Sequence, residues 1–198
     1  AVIDEEIGIK DDRLIRVDDS LAAMQQLARH HRRQLQIPFI AVTGSNGKTT
    51  TKELLKSVLS KKYNTLATSG NLNNHIGVPL TLLSLTKDHT AAIIEMGANH
   101  QREIELLCNI AEPTHGLITN VGKAHLEGFG SFEGVIKGKT EMYTFLKNNK
   151  GVIFCNQNNQ WLQPKCVGYD KVFFYGADDT ADVKGTLVSD KSFLKLTW

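Results

Sequence analysis

Two hydrophobic periods take turns along most of this chain. Short apolar runs at Phe39 to Val42, Ala91 to Met96 and Leu117 to Thr119 lead into polar or glycine-bearing turns, and then into segments with helical spacing. The pattern predicts strands at 39–43, 64–67, 91–96, 116–119 and 151–155, with helices at 50–61, 78–85, 102–110 and 131–147 between them. Such alternation implies an α/β fold, a parallel sheet with helices on both faces. Ahead of it, residues 13–17 read as a short strand. Leu21, Met24, Leu27, Ala28 and Leu35 then give a helix an apolar side, with Asp18, Asp19 and Ser20 as candidate caps and Gln36-Ile37-Pro38 as its break. Towards the C-terminus the character changes. Val172 to Tyr175, Asp182 to Val188 and Ser192 to Trp198 read as strands joined by turns such as Ser189-Asp190-Lys191, a small antiparallel appendage.

The richest turn is Thr43-Gly44-Ser45-Asn46-Gly47-Lys48-Thr49-Thr50, between the strand at 39–43 and the helix after it. Two glycines let successive N–H groups turn inward on an anion, the helix N-terminus adds its dipole, and Lys48 adds a mobile charge. Thr49 offers a hydroxyl to Mg²⁺. Val42 stands where the longer form of this phosphate loop has its first glycine. Ligands of open α/β sheets sit outside the carboxyl ends of the strands, so Glu95 and the segment Asn120 to His125 are the next residues to inspect. Glu95 stands where a phosphate-loop enzyme keeps a Mg²⁺-organising acid, with a solvated carboxylate as the lesser alternative, and His125 alone reads equally as a loop residue or a satisfied core group. Lys139 is anomalous, because it falls on the stripe Phe132, Val135, Ile136, Tyr143, Leu146. Either its stem packs while the ammonium escapes to water, or burial lowers its pKa and makes a neutral amine available.

Composition adds mostly exclusions. A net charge of +2 with scattered basic residues argues against a nucleic-acid-binding stripe. No apolar run is long enough to insert in a membrane, and the opening Ala1-Val2-Ile3-Asp4-Glu5-Glu6 is no signal peptide, so a cytoplasmic location is expected. Cys108, Cys155 and Cys166 lack metal spacing and read as reduced thiols near the core. With 198 residues and no initiator methionine, the chain reads as a piece of something longer.

Four ordered motifs add up to a family. Thr43 to Glu53, Gly70-Asn71-Leu72-Asn73-Asn74-His75-Ile76-Gly77-Val78-Pro79-Leu80-Thr81, Glu95 to His100 and Thr119 to Glu127 resemble the Mur ligases, closely from Ile15 to about Asn156 and loosely beyond. Within the family the likeness is greatest to the ligase that joins D-alanyl-D-alanine to a UDP-N-acetylmuramoyl-tripeptide in peptidoglycan synthesis. The resemblance implies an ATP-dependent amide ligase working through an acyl phosphate. Gly44, Ser45, Asn46, Gly47, Lys48, Thr49 and Thr50 would hold the ATP phosphates. Lys48, Glu95, His125 and Lys139 would be the catalytic set, and Thr49, Glu95, His125 and a carbamylated Lys139 would hold two Mg²⁺ ions. Thr68, Asn71, Asn73 and Asn74 would face the UDP-linked muramoyl peptide, with Asn120 beside the metal-binding histidine.

The same resemblance makes residues 1–37 the end of an N-terminal UDP-substrate domain with its linker, and 38–198 a central ATP-binding domain incomplete at its C-terminal end. The C-terminal ligase domain that presents the amine lies outside the chain, so an isolated monomer of low or no ligase activity is expected. Three positions depart from the family pattern: Ser45 for threonine, His75 for aspartate and Arg102 for glycine. Folylpolyglutamate synthetase shares the loop and carbamate logic, although the Gly70 to Thr81 segment speaks for the Mur ligases. A nucleotide-binding module without ligase chemistry is the alternative from another class.

Overall fold

The computed structural model describes residues 1–6, 8–9, 11–189 and 194–198. In chain order the elements are β1 (Val2–Ile3), β2 (Ile15–Arg16), α1 (Ser20–Arg33), β3 (Phe39–Thr43), α2 (Lys48–Leu59), β4 (Thr65–Ala67), α3 (Gly77–Leu83), β5 (Ala91–Glu95), α4 (Glu103–Ala111) and β6 (His115–Ile118). There follow α5 (Leu126–Phe129), α6 (Phe132–Asn148), β7 (Val152–Asn156), a 3₁₀ turn at Gln163–Cys166, β8 (Val172–Gly176), β9 (Val183–Lys184), β10 (Thr186–Ser189) and β11 (Leu194–Thr197).

Seven of the strands form one parallel sheet in the order β4-β5-β3-β6-β7-β8-β9. Period-two alternation divides its side chains. Phe39 and Ala41 of β3, with Ala92 and Ile94 of β5, join the larger core, where α1, α3, α4 and α6 pack on one another. Val42 and Ile93 face the other way, with Leu55 and Leu59 of α2. Glu95 lies two residues beyond Ile93, so the same alternation carries it to the α2 side. The chain enters this sheet at β3, moves out to the β4 edge, returns through β5 and crosses to β6. The C-terminal end of β3 is therefore the topological switch point, flanked by the ends of β5 and β6, and the phosphate loop starts there.

Most elements lie within two residues of the sequence expectation, with three differences. Strand 13–17 shrinks to Ile15–Arg16, paired in parallel with Val2–Ile3. Leu126–Phe129 is an additional short helix. The antiparallel appendage is corrected to its last hairpin, since β8 and β9 extend the parallel sheet and only β10 and β11 pair antiparallel. Residues 157–171, with their 3₁₀ turn, are long enough to return the chain for parallel pairing, a connection that strand propensities do not reveal. Asp190, Lys191, Ser192 and Phe193, part of the expected turn and last strand, lie outside the described residues. All three cysteines are free and buried.

Arg32 ties α1 to the end of α4. It is 9% exposed, its guanidinium lies 4.2 Å from the Phe39 ring centroid, and it donates to the carbonyls of Ala111 (2.9 Å) and Glu112 (2.6 Å). Those are helix-terminal acceptors with no partner of their own inside the helix. Arg32→Met should lower the unfolding free energy by roughly 2–3 kcal/mol, because it strands buried carbonyls. Arg33→Met breaks only a partly exposed, solvent-screened pair with Glu112 and should cost much less. Urea denaturation of both variants checks the contrast, and equal losses would contradict it.

Candidate active site

Each end of the phosphate loop is fixed by a different device. Gly44 has φ 146°, and a Cβ there would lie 2.0 Å from the Thr119 hydroxyl, so no larger residue fits. Gly47 has φ 76° and turns the chain into α2, whose N-terminus has no side-chain cap. The first-turn N–H groups are thereby left for an anion. Across the loop, Asn120 accepts from the Asn46 N–H (3.1 Å) and donates to its carbonyl (3.0 Å), while Thr119 donates to the same carbonyl (2.6 Å). The Ser45 hydroxyl accepts from Gly122 N–H at 2.9 Å, so serine serves where the family pattern has threonine. Lys48 curls back over the loop and donates to the carbonyls of Gly44 (2.9 Å) and Ser45 (3.3 Å).

Glu95 is held from three sides and left open on a fourth. Its Oε1 accepts from Asn73 Nδ2 (2.8 Å) and the Thr49 hydroxyl (3.3 Å), and its backbone N–H donates to the Thr68 hydroxyl (2.9 Å). Its Oε2 is buried without a hydrogen-bond partner. The nearest cation is Lys52 Nζ at 3.9 Å, beyond hydrogen-bond reach. A buried carboxylate oxygen with no donor is costly, and a divalent cation is the partner such an oxygen suits best. Among the described residues no group of three or more His, Cys, Asp or Glu side chains could hold a metal unaided. A cation at Glu95 would take the rest of its shell from other oxygens, such as the Thr49 hydroxyl, water or a phosphate on the adjoining loop.

A cleft of about 470 Å³ opens beside this cluster, lined by Lys48, Asn71, Asn73, Asn74, His75, His125 and the Gly97 to Asn99 backbone. Glycine at 97 lets Asn73 reach across to Glu95, since a Cβ would meet Asn73 Oδ1 at 2.7 Å. Asn74 accepts from the N–H groups of Ile76 and Gly77 and so starts α3. His125 has φ 54° and begins the short α5. Thr68 differs from its neighbours. It is buried, with its hydroxyl on Glu95 N–H and its carbonyl on Lys52, which makes it a brace rather than a group presented to the cleft. Arg102, where the family pattern has glycine, has φ 69°, a conformation glycine adopts most easily.

Lys139 projects from α6 to the cleft wall. It is 2% exposed, donates to the Ala98 carbonyl (3.1 Å) and lies 5.3 Å from the Phe129 ring centroid. The ammonium thus stays inside the protein, and of the two sequence readings the buried amine fits the geometry. Burial first, and the charge of Lys48 second, bring its pKa down to about 8. Sequence reasoning missed Lys52, which is wholly buried and donates to the Thr68 carbonyl at 2.7 Å. Its signal was spacing, since it follows Lys48 by four residues and Thr49 by three on one helix face.

The Lys139 shift fixes a pH dependence. From about pH 8 to its ordinary 10.5, Lys139 is deprotonated in the folded chain and protonated in the unfolded one, so stability rises with pH across that window. Below pH 8 the full cost of burying the ammonium is present. Lys139→Met should remove this rise, a difference on the order of 3 kcal/mol between pH 7 and 11. Urea unfolding of both proteins over that range checks it, and parallel curves would contradict it.

Comparison with known proteins identifies the family. Residues 42–196 match the Mur ligase middle domain. The UDP-N-acetylmuramoyl-tripeptide--D-alanyl-D-alanine ligase of Escherichia coli K12 is 46% identical over 158 residues, 79% of this chain and 35% of that protein. MurF from Acinetobacter baumannii superposes with a TM-score of 0.83 at 36% identity, over 93% of this chain and 41% of that one. MurF from Thermotoga maritima, solved in complex with ADP, gives a TM-score of 0.83 at 31% identity, over 93% of this chain and 43% of that one. The chain thus spans well under half the length of the relatives it matches. With a family model covering most of its residues, and its phosphate loop and buried glutamate at one switch point, the chain belongs to the Mur ligase family.

Proposed function

We infer that this chain is the ATP-binding core of a MurF-type ligase, which joins D-alanyl-D-alanine to a UDP-N-acetylmuramoyl-tripeptide in peptidoglycan synthesis. The observation that carries the inference is the unpartnered, buried Glu95 Oε2 next to the Thr49 hydroxyl at the mouth of a phosphate loop. Residues 1–37 are the end of the domain that grips the UDP moiety, and 38–198 belong to the central domain. Ligase activity belongs in this reading to the full-length protein, since the chain spans 35% of the Escherichia coli relative. It acts in the cytoplasm as a monomer, on nucleotide-linked substrate.

A carboxylate is too poor an acyl donor for an amine, so the γ-phosphoryl group passes to the peptide carboxylate first and leaves as phosphate when the amine attacks. Transfer between two anions needs charge neutralisation above all. The open N–H groups of α2 hold the phosphates, and Lys48 swings from the Gly44 and Ser45 carbonyls onto the transferring group. Thr49 and Glu95 would hold one Mg²⁺, and His125 with Lys139 would hold a second. When bound, the ions supply the remaining positive charge between the reacting groups. Asn71, Asn73 and Asn74 line the wall that the muramoyl peptide approaches.

Lys139 suits carbamylation. Its lowered pKa leaves a useful share of neutral amine near neutral pH, and addition to CO₂ forms an N–C bond with loss of one proton. The product is an anion able to ligate a metal. In the full-length enzyme, Lys139→Ala should lower tripeptide-dependent and D-alanyl-D-alanine-dependent phosphate release at least about 100-fold, with partial recovery on adding short-chain carboxylates. Unchanged turnover by the variant without additive would contradict the assignment.

A further inference from the structure

Lys52 remains unexplained by the phosphate loop, the cleft or the carbamate. It is a wholly buried lysine, and burying an ammonium is expensive unless it is paired. Its partners are the Thr68 carbonyl at 2.7 Å, Glu53 Oε1 at 3.0 Å, and Glu95 Oε2 at 3.9 Å. Glu53 is largely exposed, whereas Glu95 is 1% exposed, so the less screened of the two charge interactions is with Glu95.

The geometry has an unusual consequence. The ammonium is tethered to Thr68, the residue whose hydroxyl anchors the Glu95 backbone, and this tether keeps it just short of Glu95 Oε2. Oε2 stays free of hydrogen bonds yet sits in a fixed positive field. Lys52 lies 3.9 Å from the one buried carboxylate at the end of β5, and Lys48 is folded onto the Gly44 and Ser45 carbonyls of the adjoining loop. A lone divalent cation arriving there meets one anionic ligand and the fixed positive charge of Lys52. Phosphate reverses that balance, because it draws Lys48 onto itself and adds negative charge beside Oε2.

We propose that Lys52 is a positioning residue that makes cation uptake at Glu95 depend on the nucleotide. It neutralises Glu95 while the site is empty and repels a free divalent ion, so that metal and nucleotide phosphate enter together. The inference rests on the nucleotide-site reading above. It extends that reading to Lys52, which makes none of the phosphate or metal contacts assigned there.

The test measures Mn²⁺ binding to the 198-residue chain by electron paramagnetic resonance of the free ion, with and without ADP. In wild type, ADP should tighten Mn²⁺ binding at least about 100-fold. Lys52→Gln keeps a donor for the Thr68 carbonyl but removes the charge. It should bind Mn²⁺ alone about tenfold more tightly or better, shrinking the ADP effect by the same factor, while Lys52→Arg stays near wild type. Lys52→Met repeats the test without the hydrogen bond, and circular dichroism establishes that each variant is folded. Folded neutral variants that bind free Mn²⁺ no more tightly than wild type would overturn the proposal. So would a wild-type chain that takes up Mn²⁺ equally well without ADP, a result that needs no variant. A wild type that binds no ADP removes the nucleotide-site reading and this proposal together, whereas ADP binding with an ADP effect insensitive to Lys52 removes this proposal alone.

Discussion

The arrangement depends on one half-satisfied carboxylate. Glu95 ends a strand whose other side chains are wholly apolar, and the register of that strand against β3 sets it beside the first turn of α2. Two donors hold one of its oxygens and none holds the other. An unpaired buried oxygen is a standing cost of a few kcal/mol, which the surrounding fold must bear until a ligand arrives. Asn73, Thr68, Gly97 and Lys52 serve to keep that oxygen in place and free, and each comes from a different segment of chain. The site is therefore a property of the whole sheet end and not of the phosphate loop alone.

Two buried lysines, Lys52 beside this carboxylate and Lys139 on α6, have different surroundings. Burial first and the charge of Lys48 second lower the Lys139 pKa, against the opposing pull of Glu103 and Glu141, so its neutral form gains ground. Lys52 has two carboxylates within 3.9 Å and a carbonyl, the setting of a fixed cation. One fold thus keeps a buried amine with a lowered pKa and a buried ion-paired ammonium, on helices that pack on opposite faces of the sheet.

Much of this was legible in the sequence, for physical reasons. Strands buried on both faces read as short apolar runs, and the residue closing such a run stands at the ligand-bearing edge, which is how Glu95 and the Asn120 segment came to notice. Lys139 was visible because a charge interrupted an apolar stripe. Lys52 was not, because its helix is polar along most of its length and its burial comes from the ends of β4 and β5, which are distant in sequence. Thr68 read as a cleft residue because a motif records nearness to a site, not the direction of a hydroxyl. The strands at 172–176 and 183–184 were assigned to the wrong pairing, since the pairing partner of a strand is decided by the connection before it and not by its own residues.

The central claim is that Glu95 Oε2 is kept open for a cation carried in with nucleotide phosphate. The most direct measurement is a crystal structure of the chain grown with ADP and Mn²⁺, with anomalous scattering used to locate the metal. The account predicts one anomalous peak within about 2.2 Å of both the Thr49 hydroxyl and Glu95 Oε2, with the ADP phosphates on the N–H groups of Gly47 to Thr49. Ordered ADP on the loop, with Mn²⁺ bound elsewhere and Glu95 Oε2 still unpaired, would contradict it.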